Sequence, residues 1–193
     1  SAGSIALTNK KSGPRTWLQI FSPSGSLQFE YMLDNTFVYV NSLELSNDGT
    51  KVLFSAGKPG LGNGLYIWNV GNNSTPITTL TEDADNNDTD ASWSPDESLI
   101  IFTRYSAPNP QGIHLMKNIY DQNARQIIRL TDENSSYAKW SPDGKRILYI
   151  NYDPGSGKNE QLSVMEFIDG QVKSKKGLNI YGASNDYVYW VPN

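Results

Sequence analysis

A twelve-residue pattern occurs three times in this chain. Residues 43–54, LELSNDGTKVLF, return 48 positions later as ASWSPDESLIIF (91–102), and 47 further on as AKWSPDGKRILY (138–149). A half copy, VYWVPN (188–193), sets Trp190 and Pro192 where Trp140 and Pro142 stand. Self-similarity at such a period means that one small structural unit is built repeatedly, which excludes most folds before any local pattern is read.

The order of signals within the unit defines its shape. After each copy come a loop with Gly or Pro, an apolar segment (GLYIWNV, GIHLMKN or EQLSVMEF), a polar turn, and a last segment that twice ends in Leu-Thr, PITTLT and QIIRLT. The segments are short, rich in β-branched and aromatic residues, bounded by turn formers, and without helical periodicity. Each unit therefore holds four strands. Ser94-Pro95-Asp96-Glu97 suits a type I turn with Pro fixing φ at the second place, and Gly144 fits the last place of the sister copy. Trp93 and Trp140, just before the turn, are expected to pack in the core.

Four-stranded units at this period predict an all-β fold, a β-propeller of four blades of four antiparallel strands. Residues 5–9, IALTN, align with the strand after the turn, so the N-terminus begins where the half copy at the C-terminus stops. We expect one domain over residues 1–193, with blade 1 from 186–193 plus 1–34, blade 2 at 37–82, blade 3 at 88–132 and blade 4 at 135–180. The ring would close by pairing the C-terminal strand with the N-terminal blade, leaving no sheet edge at the seam.

Residues 40–193, through ASWSPDESLIIFTR and AKWSPDGKRILYIN with their Leu-Thr and GIHLMKN or QLSVMEF partners, resemble the WD-like propeller repeats of TolB. They are also similar to propeller repeats of prolyl-oligopeptidase-type and tricorn-like peptidases. The resemblance implies a periplasmic or secreted location. A repeat of this kind specifies a fold and leaves function to sites grafted on it. TolB-like propellers usually have six or more blades, so the count of four departs from the family.

Charge narrows the partners. A net charge of −4, with both signs scattered, argues against nucleic acid, whose binders cluster Lys and Arg. No apolar run reaches the roughly 20 residues of a membrane helix, so no membrane insertion is expected. Cysteine is absent, which excludes disulfides and thiolate metal sites.

Binding loops on a propeller lie where the second and third strands connect and where one blade passes to the next. Ser42, Asp90, Tyr137 and Tyr187 share one repeat position there, three residues before Leu45 or its Trp equivalents. With Asp88, Arg104, Tyr105, Tyr152 and Asp186 they form the expected binding face at the channel mouth, rich in rings that bury area at little entropy cost. In EDADNNDTD (82–90), Asp83, Asp85 and Asn87 have the spacing of the first three calcium-loop ligands. Asp88 replaces the glycine that loop requires and Ser94 its bidentate Glu, so a solvated turn is the expected reading and no cofactor is assigned.

PGSGKN (154–159) and GLGNG (60–64) lack the helix or the spacing of phosphate loops. His114, the single histidine, has no GxSxG elbow to serve, and no catalytic residue is assigned. The sequence thus favours a non-catalytic, monomeric binding module for a protein, peptide or glycan. Two alternatives stay open: a carbohydrate-active hydrolase or lyase using mouth carboxylates, and a propeller domain of a larger TolB-like or peptidase chain.

Overall fold

The computed structural model describes residues 4–9, 15–106, 109–132, 134–153, 158–181 and 190. The described residues are all-β, with fifteen strands in four antiparallel sheets and no helix. The chain divides into two compact units, residues 1–91 and 92–193, and the division falls within one strand, β8.

The first unit contains β1 (Ile5–Asn9), β2 (Trp17–Phe21) and β3 (Leu27–Met32), which form a three-stranded sheet in that order. It also contains β4 (Tyr39–Leu45), β5 (Lys51–Gly57), β6 (Asn63–Asn69) and β7 (Ile77–Thr81), again paired in chain order. Residues 52–57 are all buried, Ser55 among otherwise apolar or small residues, an unbroken buried run rather than an alternating one, because both faces of β5 are covered. Over β3 the pattern reverses to mostly exposed. The core joins Leu18, Ile20 and Leu33 to Phe37, Phe54, Tyr66 and Trp68. Phe37 meets Tyr66 edge-on at 5.0 Å and Tyr66 stacks on Phe54 at 5.4 Å, two arrangements that ring quadrupoles favour.

Two further four-stranded sheets follow, one of β8 (Asn87–Trp93), whose last two residues lie in the second unit, with β9 (Ile100–Ser106), β10 (Asn109–Lys117) and β11 (Gln126–Arg129), and one of β12 (Asn134–Trp140), β13 (Arg146–Asp153), β14 (Lys158–Ile168) and β15 (Gln171–Tyr181). The core of the second unit includes Ile101, Ile113, Leu115, Trp140, Tyr149, Met165 and Phe167. Both tryptophans of the repeat are core residues, Trp93 at 5% and Trp140 at 7% exposure, and Trp140 meets Phe167 edge-on at 5.1 Å. His114 is also buried and lies parallel to Phe102.

Each corner between the first two strands of a repeat is a closed local circuit. Gly49, Glu97 and Gly144 donate their backbone N–H to the carbonyls of Ser46, Ser94 and Ser141 at 2.8 to 3.0 Å, which closes the turn. All three adopt left-handed φ, at 72°, 58° and 68°. The serine hydroxyl donates to the Asp two residues on and accepts the N–H of Lys51, Leu99 or Arg146. Asp48, Asp96 and Asp143 also accept from the backbone N–H two residues further on, at Thr50, Ser98 and Lys145. The β2–β3 hairpin closes at Ser22 to Ser26 in a related way, with Gly25 at φ 86° and its N–H on the Ser22 carbonyl, but Ser24 stands where the corners of the repeat have Asp.

The recurring Leu-Thr has an equally specific task. Thr81 Oγ1 accepts the N–H of Leu65 at 3.0 Å, and Thr131 Oγ1 that of Ile113 at 2.9 Å. In both sheets a buried hydroxyl takes the place of a ladder carbonyl, beside a register shift in β6–β7 and beyond the end of the paired residues in β10–β11, so the Leu65 and Ile113 N–H groups are satisfied.

Candidate functional site

The residues expected at the channel mouth fall in both units and are described within each. Ser42, in β4, is half-buried and its hydroxyl shares a hydrogen with Ser55 at 2.8 Å. Asp88 is 1% exposed. Asp90 is half-buried and accepts from Thr89 Oγ1 at 3.0 Å. In the second unit the Arg104 guanidinium lies 5.3 Å over the Phe102 ring, and Tyr105 and Tyr152 stand out at 47% and 40% exposure. Asp186 and Tyr187, and with them the ring-closing strand, lie outside the described residues.

Asp90 and Tyr137 have a property that no side-chain pattern announces. Both have left-handed backbones inside a strand, at φ 53° and 56°. Such a conformation is strained for a residue with a Cβ, more so for tyrosine than for aspartate. Tyr137 lies within a bulge of β12, between the pairs Ser136–Ile150 and Lys139–Leu148, and its N–H reaches sideways to Thr103 Oγ1 on β9 at 3.3 Å. The equivalent stretch of β4 also shifts register, between Val40 and Ser42. Bulges re-aim side chains and are over-represented beside sites.

Tyr152 is the sequence-derived residue that lines a pocket. With Gln111, Asn134, Ser136, Ile150 and Glu160 it surrounds about 170 Å³ in the second unit. The register explains the gathering: Asn134 pairs with Tyr152, and a shift between Asn151–Gln161 and Asp153–Lys158 sets residues 159 and 160 opposite Tyr152. Glu160 and Gln111 were not anticipated from sequence. A signal existed, since Phe54, Phe102 and Tyr149 pair with Tyr66, His114 and Ser163, and three residues before these stand Asn63, Gln111 and Glu160. One polar residue thus stands near the start of the third strand in three sheets.

The first unit has a charged cluster at the matching loops, also unanticipated. Lys58 Nζ contacts Glu82 Oε2 at 2.7 Å, Tyr66 Oη donates to the same oxygen at 2.9 Å, and the ammonium lies 4.6 Å from the Phe37 ring centre. Burial opposes ionisation of Glu82, but the bonds from Lys58 and Tyr66 outweigh it and hold the carboxyl below its ordinary value. Burial, followed by the bond to Glu82, pushes the Tyr66 phenol upward. The neighbouring acidic loop is organised as a turn: Asp83 accepts from the N–H groups of Asp85 and Asn86 and from the Asn86 amide, and Asn87 Oδ1 accepts the N–H of Asn63. No group of three His, Cys, Asp or Glu side chains gathers as a metal site among the described residues.

Solved structures share this architecture. TolB from Acinetobacter baumannii superposes over 89% of this chain and 40% of its own length, with TM-score 0.64 and 21% identity. A TolB-type protein from Agrobacterium tumefaciens matches over 91% of this chain and 61% of its own, at TM-score 0.68 and 16% identity. A prolyl endopeptidase matches over 93% and 28%, at TM-score 0.63 and 16% identity. No protein-family model and no curated protein matches the sequence. The fold is therefore that of the TolB-type propeller, and the chain spans less than two thirds of either TolB structure. At these identities the likeness concerns the fold alone.

Proposed function

We propose that this chain is a non-catalytic binding module whose mouth-end residues engage a protein or peptide. The observation that carries the reading is the left-handed backbone of Asp90 and Tyr137, at one repeat position. Backbone strain of this kind costs roughly 1–3 kcal/mol per residue, persists where surroundings over-determine it, and clusters at ligand clamps. Exposed Tyr105 and Tyr152 add the aromatic area that protein contacts favour. Blade bounds and ring closure as expected from the sequence belong to the same proposal, with the three-stranded first sheet as their support. So does the exported location that the TolB resemblance implies.

The test is selection of binders from a random peptide display on the immobilised protein, followed by calorimetry on the recovered peptides. Micromolar or tighter binding, weakened at least about tenfold by Asp90→Asn or by Tyr152→Ala, is expected. Turnover on a panel of polysaccharides that disappears in Asp90→Asn would overturn the reading in favour of a carboxylate-dependent hydrolase or lyase.

A further inference from the structure

We propose that the pocket beside Tyr152 receives an arginine side chain of the bound peptide; the inference rests on the binding-module reading and names the chemistry of one of its contacts. Among the described residues, Glu160 is the one charged group that lines this place, and it is an acceptor. One of its carboxylate oxygens, Oε2, is sealed from solvent without a hydrogen-bond partner. Asn63, the repeat equivalent of Glu160 in the first unit, has a side-chain oxygen in the same condition. A buried acceptor left without a donor is destabilising, and more so when it carries charge. The protein's own guanidinium nearby in the repeat, Arg129, donates to the Thr131 carbonyl.

The missing partner is thus a donor-rich cation. Guanidinium brings five N–H donors and no acceptor, and it pairs with a carboxylate while stacking on an aromatic face. Glu160 supplies the carboxylate, half-exposed Tyr152 the ring, and the amide oxygens of Gln111 and Asn134 and the Ser136 hydroxyl can accept as well. Size agrees. Pockets for whole small molecules run from roughly 300 to 1,000 Å³, and 170 Å³ holds a side-chain terminus. A single carboxylate among neutral groups also suits an organic cation better than a divalent metal, which gathers several oxygen anions.

Titration of the isotope-labelled full chain with N-acetyl-L-arginine amide, followed by amide NMR, tests the assignment. Saturable shifts centred on Gln111, Asn134, Ser136, Tyr152 and Glu160 are expected, with the neutral isostere N-acetyl-L-citrulline amide binding at least about tenfold more weakly. Glu160→Gln should weaken arginine binding by a similar factor and leave the melting temperature unchanged or raised. Equal binding of the citrulline probe, indifference to Glu160→Gln, absent shifts, or shifts of these residues by cellobiose and not by arginine would each overturn the assignment. If display-selected peptides still bind and still respond to Asp90→Asn, only the pocket assignment falls. If they do not, the binding-module reading falls with it.

Discussion

Glu97 occupies the place that glycine holds at positions 49 and 144, with the same left-handed backbone, and this makes it a measurable defect. A side chain in that region costs roughly 1–2 kcal/mol. Glycine removes the clash and gives back roughly 0.4–1 kcal/mol through the greater freedom of the unfolded chain. Glu97 also makes a contact of its own, so the backbone effect is isolated by comparing Glu97→Gly with Glu97→Ala, both of which lose the carboxylate. The glycine variant should be the more stable by about 0.5–1 kcal/mol, or roughly 1–4 °C in melting temperature for a chain of this size. Gly144→Ala is the reciprocal experiment. A Cβ there would meet Pro95 Cδ at 3.6 Å and Cγ at 3.8 Å, ordinary contacts, so the loss of about 1 kcal/mol should come from the backbone alone. Thermal unfolding by circular dichroism with urea titration measures both. If the alanine variant at 97 equals or exceeds the glycine variant, or Gly144→Ala is neutral, the reasoning about these corners is wrong.

The corner aspartates predict an acid response. Backbone and side-chain bonds from Thr50, with Ser46, hold Asp48 below its ordinary value; Ser94 and Ser98 do the same for Asp96, and Ser141 and Lys145 for Asp143. A carboxyl depressed in the folded state contributes stability above its unfolded value, about 3.9, and that contribution is lost as pH falls through the folded value. The urea midpoint should therefore drop below about pH 4, and the triple Asp48→Asn, Asp96→Asn, Asp143→Asn variant should show a flatter acid limb; an unchanged slope would refute the linkage. Thr131→Val strands the buried N–H of Ile113 and should cost about 1–3 kcal/mol in urea unfolding. Thr131→Ser should recover most of it, and a loss below about 0.5 kcal/mol from the valine variant would remove Thr131 from its assigned part.

What could be read from the sequence was what is written in nearest neighbours. Ser94-Pro95-Asp96 announces a turn because its bonds close within a few residues, and the strands on either side follow from composition. The part played by Thr131 could not be read that way, because its partner lies 18 residues back and the bond exists only once the register of β10 and β11 is set. The site divides along the same line. Tyr152 was legible as a ring near the end of a strand. Glu160 was hidden because its repeat mates, Asn63 and Gln111, are different residue types, and loops of unequal length break the spacing that would align them. The strain at Asp90 and Tyr137 belongs to the backbone, and side-chain patterning carries no record of it.

The Ser-x-Asp corners also bear on how the chain folds. Each completes its bonds within six residues and joins strands that pair directly, so it can form before any distant contact exists. Hairpins of this kind close in roughly 1–10 microseconds, far faster than pairings that must first enclose a long loop. Three such corners give the chain three independent starting points spread along its length. No single blade has to be finished before the next can begin, and a lesion in one corner should slow the zipping of its own hairpin while the other two proceed.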